Sequence, residues 1–536
     1  MPEMLLPIVG WRLRPAIIVP VALRPAAFWL AAACPYPRAV PDSSDLTPRQ
    51  RRAAADMLRG PAAETFELAA LFAASGHELT LVGGAIRDVF LRRDRPGREF
   101  DLATDARPKQ VLQIAARWAD KVWETGIEFG TVGLRKGDTI YEITTYRSDE
   151  YQPGSRRPEV SYGRSLEADL ARRDFTVNAI AARLPSLELV DPFGGLRDLR
   201  AKVLRTPGAP EDSFNDDALR MLRAARFAAQ LGFSVVPEVQ AAMTAMAGRL
   251  SVVSAERISA ELAKLLRAPG PEGPVRGISV LVDTGVADQV LPEVPMLRLE
   301  VDEHFRHKDV YQHSLTVLAR ATTLESAYGL HDDLVVRLAA LLHDIGKPRT
   351  RRKLPDGRVA FHHHEVVGAA MARDRLTALR FPAAVVADVS ELIALHLRFH
   401  GYGEGEWTDS AVRRYVRDAG PLLTRLHVLT RADCTTRNKA KAQRLERAYD
   451  DLQKRIAALS AQEELEKIRP DLNGTEIMEI LGLRQGPLVG KAYRYLLELR
   501  MEHGPLGRER AVQELLRWAA EMGLDVPGPP GEAGED

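Results

Sequence analysis

Between positions 78 and 191 the apolar residues fall in short β-type runs, ELTLVGG, EFDLAT, TVGLR, TIYEITTYR and LELVD, set around one helical stretch, KQVLQIAARWAD. Runs this short, rich in Val, Ile, Thr and Tyr and bounded by Gly, Asp and Pro, predict strands. A helix over about Pro48 to Ser75 precedes them. From Asp212 onward the apolar spacing is almost wholly helical, broken by Gly/Pro joints such as RAPGPEGPV at 267–275. The pattern predicts an α+β chain with a small mixed head at 48–196 and a long all-α body. That body divides into a helical neck at 197–298, a compact helical domain at 299–440 and a helical tail at 441–525. The Pro/Ser/Asp run near 41–47 reads as a linker, and VPGPPGEAGED at 526–536 is disordered by composition.

A chain of 536 residues is too long for one core, in keeping with several domains. Its 45% hydrophobic and 27% charged residues exclude a fibrous or wholly disordered protein. The formal net charge of +1 supplies no global field for a polyanion, so a nucleic-acid site has to be a local basic patch. One candidate is TRNKAKAQRLERAYDDLQKR at 436–455, with Lys439, Lys441 and Arg444. A solvated helix face laced with i,i+4 pairs reads equally well.

Two cysteines, Cys34 and Cys434, are too few for a disulfide framework and too distant for a metal knuckle, which points to a reducing compartment, the cytoplasm. Residues 1–47 mix apolar runs with Arg12, Arg14 and Arg24, and AAFWLAAAC faintly suggests a cleavage signal. Prolines at 15, 20 and 25 interrupt it, and nothing approaches the roughly 18 to 20 apolar residues of a membrane span. The expectation is a disordered extension or a start codon placed too early, and no membrane partner.

The densest chemistry lies in LVGGAIRD at 81–88 and in the acids of REFDLATDA. An apolar strand ending in Gly83 and Gly84 lets backbone N–H groups approach a triphosphate where a helix begins. Glu99 and Asp101, at i and i+2 of a following strand, project on one face and can hold Mg²⁺ over those phosphates. Arg87 and Asp88 open the helix after the glycines, where an arginine can reach phosphate and an aspartate can orient it or cap the helix. Glu142 in YEITTYR is a further carboxylate, and an edge-strand surface acid accounts for it as well. Taken alone, two glycines and an acidic pair also describe a turn and a solvated strand.

LVGGAIRD is followed in order by RRDFTVNAIA (172–181), DPFGGLRDL (191–199), DDALRMLRAARFAAQLGF (216–233) and SAERISAELAKLL (254–266). This series resembles the class II tRNA nucleotidyltransferases, the CCA-adding enzymes, and their relatives the bacterial poly(A) polymerases. The resemblance runs from near Thr65 to about Gly507. It implies a polymerase β-like palm in the head, CTP and ATP as substrates and tRNA as partner, in a monomer or homodimer. It also implies that Arg173 and Asp174 meet the ribose, with Asn178 buttressing their turn. Members of this family usually carry Asp-x-Asp where this chain has Glu99 and Asp101. The extra methylene moves one carboxylate outward, and Mg²⁺ tolerates poor octahedral geometry badly, so the expectation is reduced activity, an altered metal preference or outright loss of activity.

Asp217 and Arg220 stand at i and i+3 of an expected helix, so their side chains should project together. Cytosine and adenine each place an exocyclic amine beside an unprotonated ring nitrogen, which one acceptor and one cationic donor can read. Uracil and guanine present the reverse order and would leave buried polar groups unpaired. The protein would then serve as its own template. A plain i,i+3 salt bridge is the alternative.

His313, the pair His343 and Asp344, His364, His396 and Asp433 form a second ordered set. These are ligand types for a divalent transition metal such as Ni²⁺, Mn²⁺, Fe²⁺ or Zn²⁺. The set resembles the HD-type phosphohydrolases, which act on phosphomonoesters or cyclic phosphodiesters. His362 and His363 read as neighbours, not ligands. In the tail, Gly486-Pro487 and Gly490 allow backbone amides to approach a phosphate before a helix, with Lys491 adding charge.

CCA addition is the reading these residues favour, with an accessory HD hydrolase. A poly(A) polymerase is the nearest rival, but the Gly-basic-basic-Phe element seen in many such enzymes is missing, and VWETGIEFGTVGL stands there instead. A metal-dependent phosphohydrolase whose degenerate head only binds RNA is the second rival, kept open by Glu99.

Overall fold

The structure, a computed structural model, describes residues 47–93, 98–127, 130–148, 161–163, 165–299, 309–355, 359–399, 407–434, 439–463 and 469–524. The expectations for 1–47 and 526–536 therefore lie, Thr47 aside, outside the described residues.

The head is built on a seven-stranded mixed sheet. In chain order its strands are β1 (Leu79–Val82), β2 (Arg98–Thr104), β3 (Lys121–Trp123), β4 (Thr131–Lys136), β5 (Thr139–Thr145), β6 (Ala181–Leu184) and β7 (Glu188–Val190). Their spatial order is β3-β4-β5-β2-β1-β6-β7. All neighbours are antiparallel except β2 and β5, which run parallel with Glu99 opposite Ile140 and Asp101 opposite Glu142. Every expected strand forms; the short edge strand Lys121–Trp123 is one the apolar pattern does not mark.

The period of two sets the use of each face. On β5, Thr139, Tyr141, Ile143 and Thr145 are buried while Glu142 is exposed. Phe100 of β2 stacks on Tyr141, with ring centroids 5.5 Å apart, so Glu99 and Asp101 point the other way. The expected helix over 48–75 is in fact two, Pro48–Ala62 and Phe66–Ala74, joined by a tight turn at Ala63–Thr65. The buried Thr65 hydroxyl donates to the Ala62 carbonyl at 2.6 Å within that turn.

The neck packs helix Arg220–Leu231 against Ala255–Leu266 and Glu272–Asp283. The next domain gathers helices Val310–Leu324, Leu334–Leu342, His364–Ala378, Ala383–Leu395 and Leu423–Asp433. One hydrophobic core runs from the head through this domain. The tail helices Gly474–Leu481, Pro487–His503 and Arg508–Glu521 close on a separate core of Leu472, Ile477, Leu496, Leu515 and Trp518. Arg413 ties that tail to the body by donating to the Met501 carbonyl at 3.0 Å.

Candidate nucleotide and metal sites

Strand β1 is buried along its whole length and ends at Gly83, whose backbone adopts φ 69° and ψ −129° before helix Gly84–Phe90. That positive φ is one that side-chain-bearing residues rarely adopt. Space matters as much, since an ideal Cβ here would come 2.9 Å from Arg173 Nη1 and 3.9 Å from Asp101 Oδ2. The glycine loop, a cation and an acid of β2 thus meet at one point.

Glu99, Asp101 and Glu142 share the open face of the sheet. Partial burial and the neighbouring Asp101 and Glu99 raise the Glu142 pKa above the usual carboxylate range. Like charges gathered this closely repel unless a cation lies among them.

Arg87 is held on both sides, by Asp88 Oδ1 at 2.9 Å and by Asn178 Oδ1 at 2.7 Å. Asn178 in turn donates to Asp174 Oδ1 at 2.9 Å, which also accepts from the Phe175 amide at 2.8 Å. Asp174 Oδ2 takes two hydrogen bonds from Arg223, at 2.8 and 2.5 Å. Burial alone would raise the Asp174 pKa, but Arg223 and these hydrogen bonds outweigh it and hold the group below the carboxylate range. With four donors on two oxygens, this carboxylate is saturated. Arg173 instead turns toward the glycine loop and pairs with Asp169 at 3.4 Å. Beneath this turn, Asp191 of the DPFGG segment accepts from the Gly195 and Leu196 amides at 2.6 and 2.9 Å, and Asp198 accepts from Thr176 at 2.8 Å.

Asp217 and Arg220 are not presented by a single helix. Asp217 has extended backbone at φ −151°, and the helix opens at Arg220, whose amide donates to the Asp217 carbonyl at 3.0 Å. A loop donor, the Leu219 amide, sits 3.1 Å from Asp217 Oδ1, while Arg257 reaches its Oδ2 at 2.7 Å. The Arg220 guanidinium is oriented by Ser213 Oγ at 2.9 Å and the Arg172 carbonyl at 2.6 Å. Turn geometry and separate anchors, not helical periodicity, set the two groups. Sequence reasoning missed Arg223 and Arg257. Arginines at 220, 223 and 226 form an i,i+3 stripe on an otherwise apolar helix, a signal that would have found the first.

The second set converges fully. His313 Nε2 lies 2.9 Å from Asp433 Oδ1 and 3.3 Å from His343 Nε2. Asp344 approaches His343 Nε2 at 3.2 Å through Oδ2 and His364 Nε2 at 3.3 Å through Oδ1. Potential ligand atoms of His313, His343 and Asp433 lie within 4.8 Å of one another, and so do those of Asp344, His364 and His396. The Nδ1 atoms of His343, His364 and His396 face the carbonyls of Ala340, Phe361 and Ile393 at 3.0, 2.8 and 2.6 Å. A carbonyl only accepts, so each Nδ1 carries a proton and each ring turns its Nε2 inward, the atom that a metal would take. Burial and the adjacent His343 push the His396 pKa down to about 3. Burial opposes the ionised form of Asp433, yet the hydrogen bond from His313 and the imidazole of His343 hold it far below the carboxylate range. Lone pairs aimed at one another beside ionised carboxylates make a fit for divalent metal. His362 and His363 are exposed, outside this cluster.

Of the expected RNA contacts, Arg444 is exposed on helix Lys439–Glu463, whereas the side chains of Lys439 and Lys441 lie outside the described residues. Lys491 is exposed just after the first turn of Pro487–His503, and Gly490 already belongs to that helix. Among the described residues no helix is long and apolar enough to cross a membrane.

A glycine loop facing paired acids on a mixed sheet, with Asp217 and Arg220 separately anchored in the neck, defines a nucleotidyltransferase that also carries a cluster of histidines and aspartates. Residues 79–205 match the Poly A polymerase head domain, 232–297 the probable RNA and SrmB-binding site of polymerase A, and 310–438 the HD domain. The A-adding tRNA nucleotidyltransferase of Deinococcus radiodurans is 38% identical over 82% of this chain and 95% of its own length. The CCA-adding enzyme of Levilactobacillus brevis is 38% identical over 49% of this chain, a match that spans 63% of that relative. The Bacillus stearothermophilus CCA-adding enzyme in complex with CTP superposes with a TM-score of 0.61 at 25% identity, covering 86% of this chain and 98% of that one. The chain belongs to the family of tRNA nucleotidyltransferases that carry a poly(A) polymerase-type head and an HD domain.

Proposed function

We propose that this chain adds C, C and A to tRNA 3′ ends from CTP and ATP, without a nucleic-acid template, in the cytoplasm. The observation that carries the reading is the meeting of Gly83, Arg173 and Asp101 within one short span. The loop amides and Arg173 would bind the triphosphate, and Asp217 and Arg220, each separately anchored, would select the base. Asp174, saturated by Arg223 and Asn178, would support the ribose subsite by fixing the turn that carries Arg173. Glu99 and Asp101, with Glu142 beside them, fit Mg²⁺; bound there, it would offset triphosphate charge and lower the pKa of the attacking 3′-hydroxyl.

The HD cluster fits one or two divalent transition metals and supports hydrolysis of phosphoesters. Bound there, such a metal would act as a Lewis acid on a phosphoryl oxygen. The chain's own part is to fix the inward-facing imidazoles through their carbonyl partners.

One observation favours a narrower activity, addition of the terminal A alone: the relative matched over 95% of its length is named A-adding. The two sites are tested reciprocally. Asp101→Ala should eliminate nucleotide addition and leave phosphoester hydrolysis intact, and His343→Ala with Asp344→Ala should do the reverse. Equal loss of both activities in either variant would contradict separate sites.

A further inference from the structure

A two-stranded ribbon grows out of the histidine cluster. Arg351–Lys353 pairs antiparallel with Val359–Phe361, Arg351 opposite Phe361 and Lys353 opposite Val359. From Lys347 to Pro355 the sequence carries five cations and no acid. All three residues of the first strand are exposed, whereas Ala360 and Phe361 of the second are buried. The ribbon is therefore anchored by one strand and offers the other to solvent on both faces.

Among the described residues, Arg349, Arg352 and Lys353 have no carboxylate or carbonyl partner. In a chain of net charge +1, a polyanion has to bind at a local uncompensated patch of this kind.

The ribbon's root is also part of the metal cluster. The Phe361 carbonyl orients His364 by accepting from its Nδ1 at 2.8 Å. Lys347, at the other end, reaches Asp344 Oδ2 at 2.9 Å and lies 5.7 Å from the Phe361 ring. Successive residues of a strand point to opposite faces. Arg352 and Lys353 on the exposed strand, with the exposed Arg349 just before it, thus offer three cations to a phosphodiester backbone.

We propose that this ribbon is an RNA-holding arm of the HD centre, which grips a single strand so that its terminal phosphate is delivered to the histidine and aspartate cluster. The inference rests on the hydrolase reading for its substrate but not for its binding surface. The test uses the full-length protein loaded with Mn²⁺ and the variant Arg349→Gln, Arg352→Gln, Lys353→Gln. With a short oligoribonucleotide bearing a 3′-phosphate, KM should rise about tenfold in the variant, while kcat/KM on p-nitrophenyl phosphate stays unchanged. The logarithmic dependence of RNA binding on salt should become shallower by about 2, given roughly 0.7 per single-strand contact. A 4-thiouridine placed next to the 3′ end should crosslink to the peptide holding 347–355 in the wild type.

An unchanged RNA KM and salt slope would overturn the arm, as would crosslinks confined to other regions. Equal loss on both substrates would make the ribbon structural. Competition by polyglutamate as effective as that by RNA would make the partner an acidic protein segment. If neither substrate is hydrolysed by the wild type, the hydrolase reading fails, and the crosslink alone decides the arm.

Discussion

Arg257 Nη2 donates to Asp217 Oδ2 across 2.7 Å, joining the neck helix Ala255–Leu266 to the loop that carries the proposed base-reading carboxylate. Arg257 is 52% exposed, so its removal leaves the core untouched. Arg257→Ala should therefore fold normally, and its effect should be on nucleotide choice. A charge-assisted hydrogen bond discounted for exposure amounts to about 1 kcal/mol, so discrimination of CTP over UTP should fall roughly tenfold or less. Single-turnover incorporation with each nucleotide measures it. Unaltered discrimination would remove Arg257 from the orientation of Asp217.

Glu99 stands where the family's pattern has aspartate, with Asp101 on the same exposed face. Shortening it by one methylene in Glu99→Asp should raise the Mg²⁺-supported rate of nucleotide addition more than the Mn²⁺-supported rate, because Mg²⁺ is the less tolerant of distorted coordination. The ratio of the two rates is the readout. A fall in both would show that the wider carboxylate is required by this site.

The sequence was most informative where periodicity and ordered motifs act locally. Alternation along β2 and β5 put Glu99, Asp101 and Glu142 on one face, and the apolar helix before His343 delivered the HD pair to a buried cluster. What it hid are contacts distant in the chain. Arg223 meets Asp174 from 49 residues away and Arg257 meets Asp217 from 40, and no spacing rule reaches so far. The helical phase assumed for Asp217 failed for a related reason: the helix begins at Arg220, and the preceding loop follows its own hydrogen bonds to Leu219 and Ser213. The ribbon of Arg351–Lys353 and Val359–Phe361 was missed because its outer strand lacks the apolar alternation that marks a half-buried one.

His427 is buried against Tyr328 and Tyr415, and burial followed by the charge of Arg431 pushes its pKa down from 6.5 to about 4. The unfolded chain thus binds this proton at higher pH than the folded chain. Its contribution to stability is complete above pH 6.5 and is lost as pH falls from 6.5 toward 4. The difference amounts to roughly 3 kcal/mol for one such group. Urea unfolding of His427→Leu should show a shallower loss of stability over that window than the wild type. Parallel pH profiles would mean that His427 does not contribute this linkage.

The central claim is that protein side chains, with acids at Glu99 and Asp101, choose C and then A for a tRNA end. The most direct measurement incubates the purified protein and Mg²⁺ with tRNA ending at the discriminator base and each of the four nucleoside triphosphates, singly and combined. CTP alone should extend the tRNA by cytidines only, CTP with ATP should complete CCA, and UTP and GTP should be refused. Incorporation of ATP with no CTP, on this tRNA or only on one already ending in CC, would contradict it.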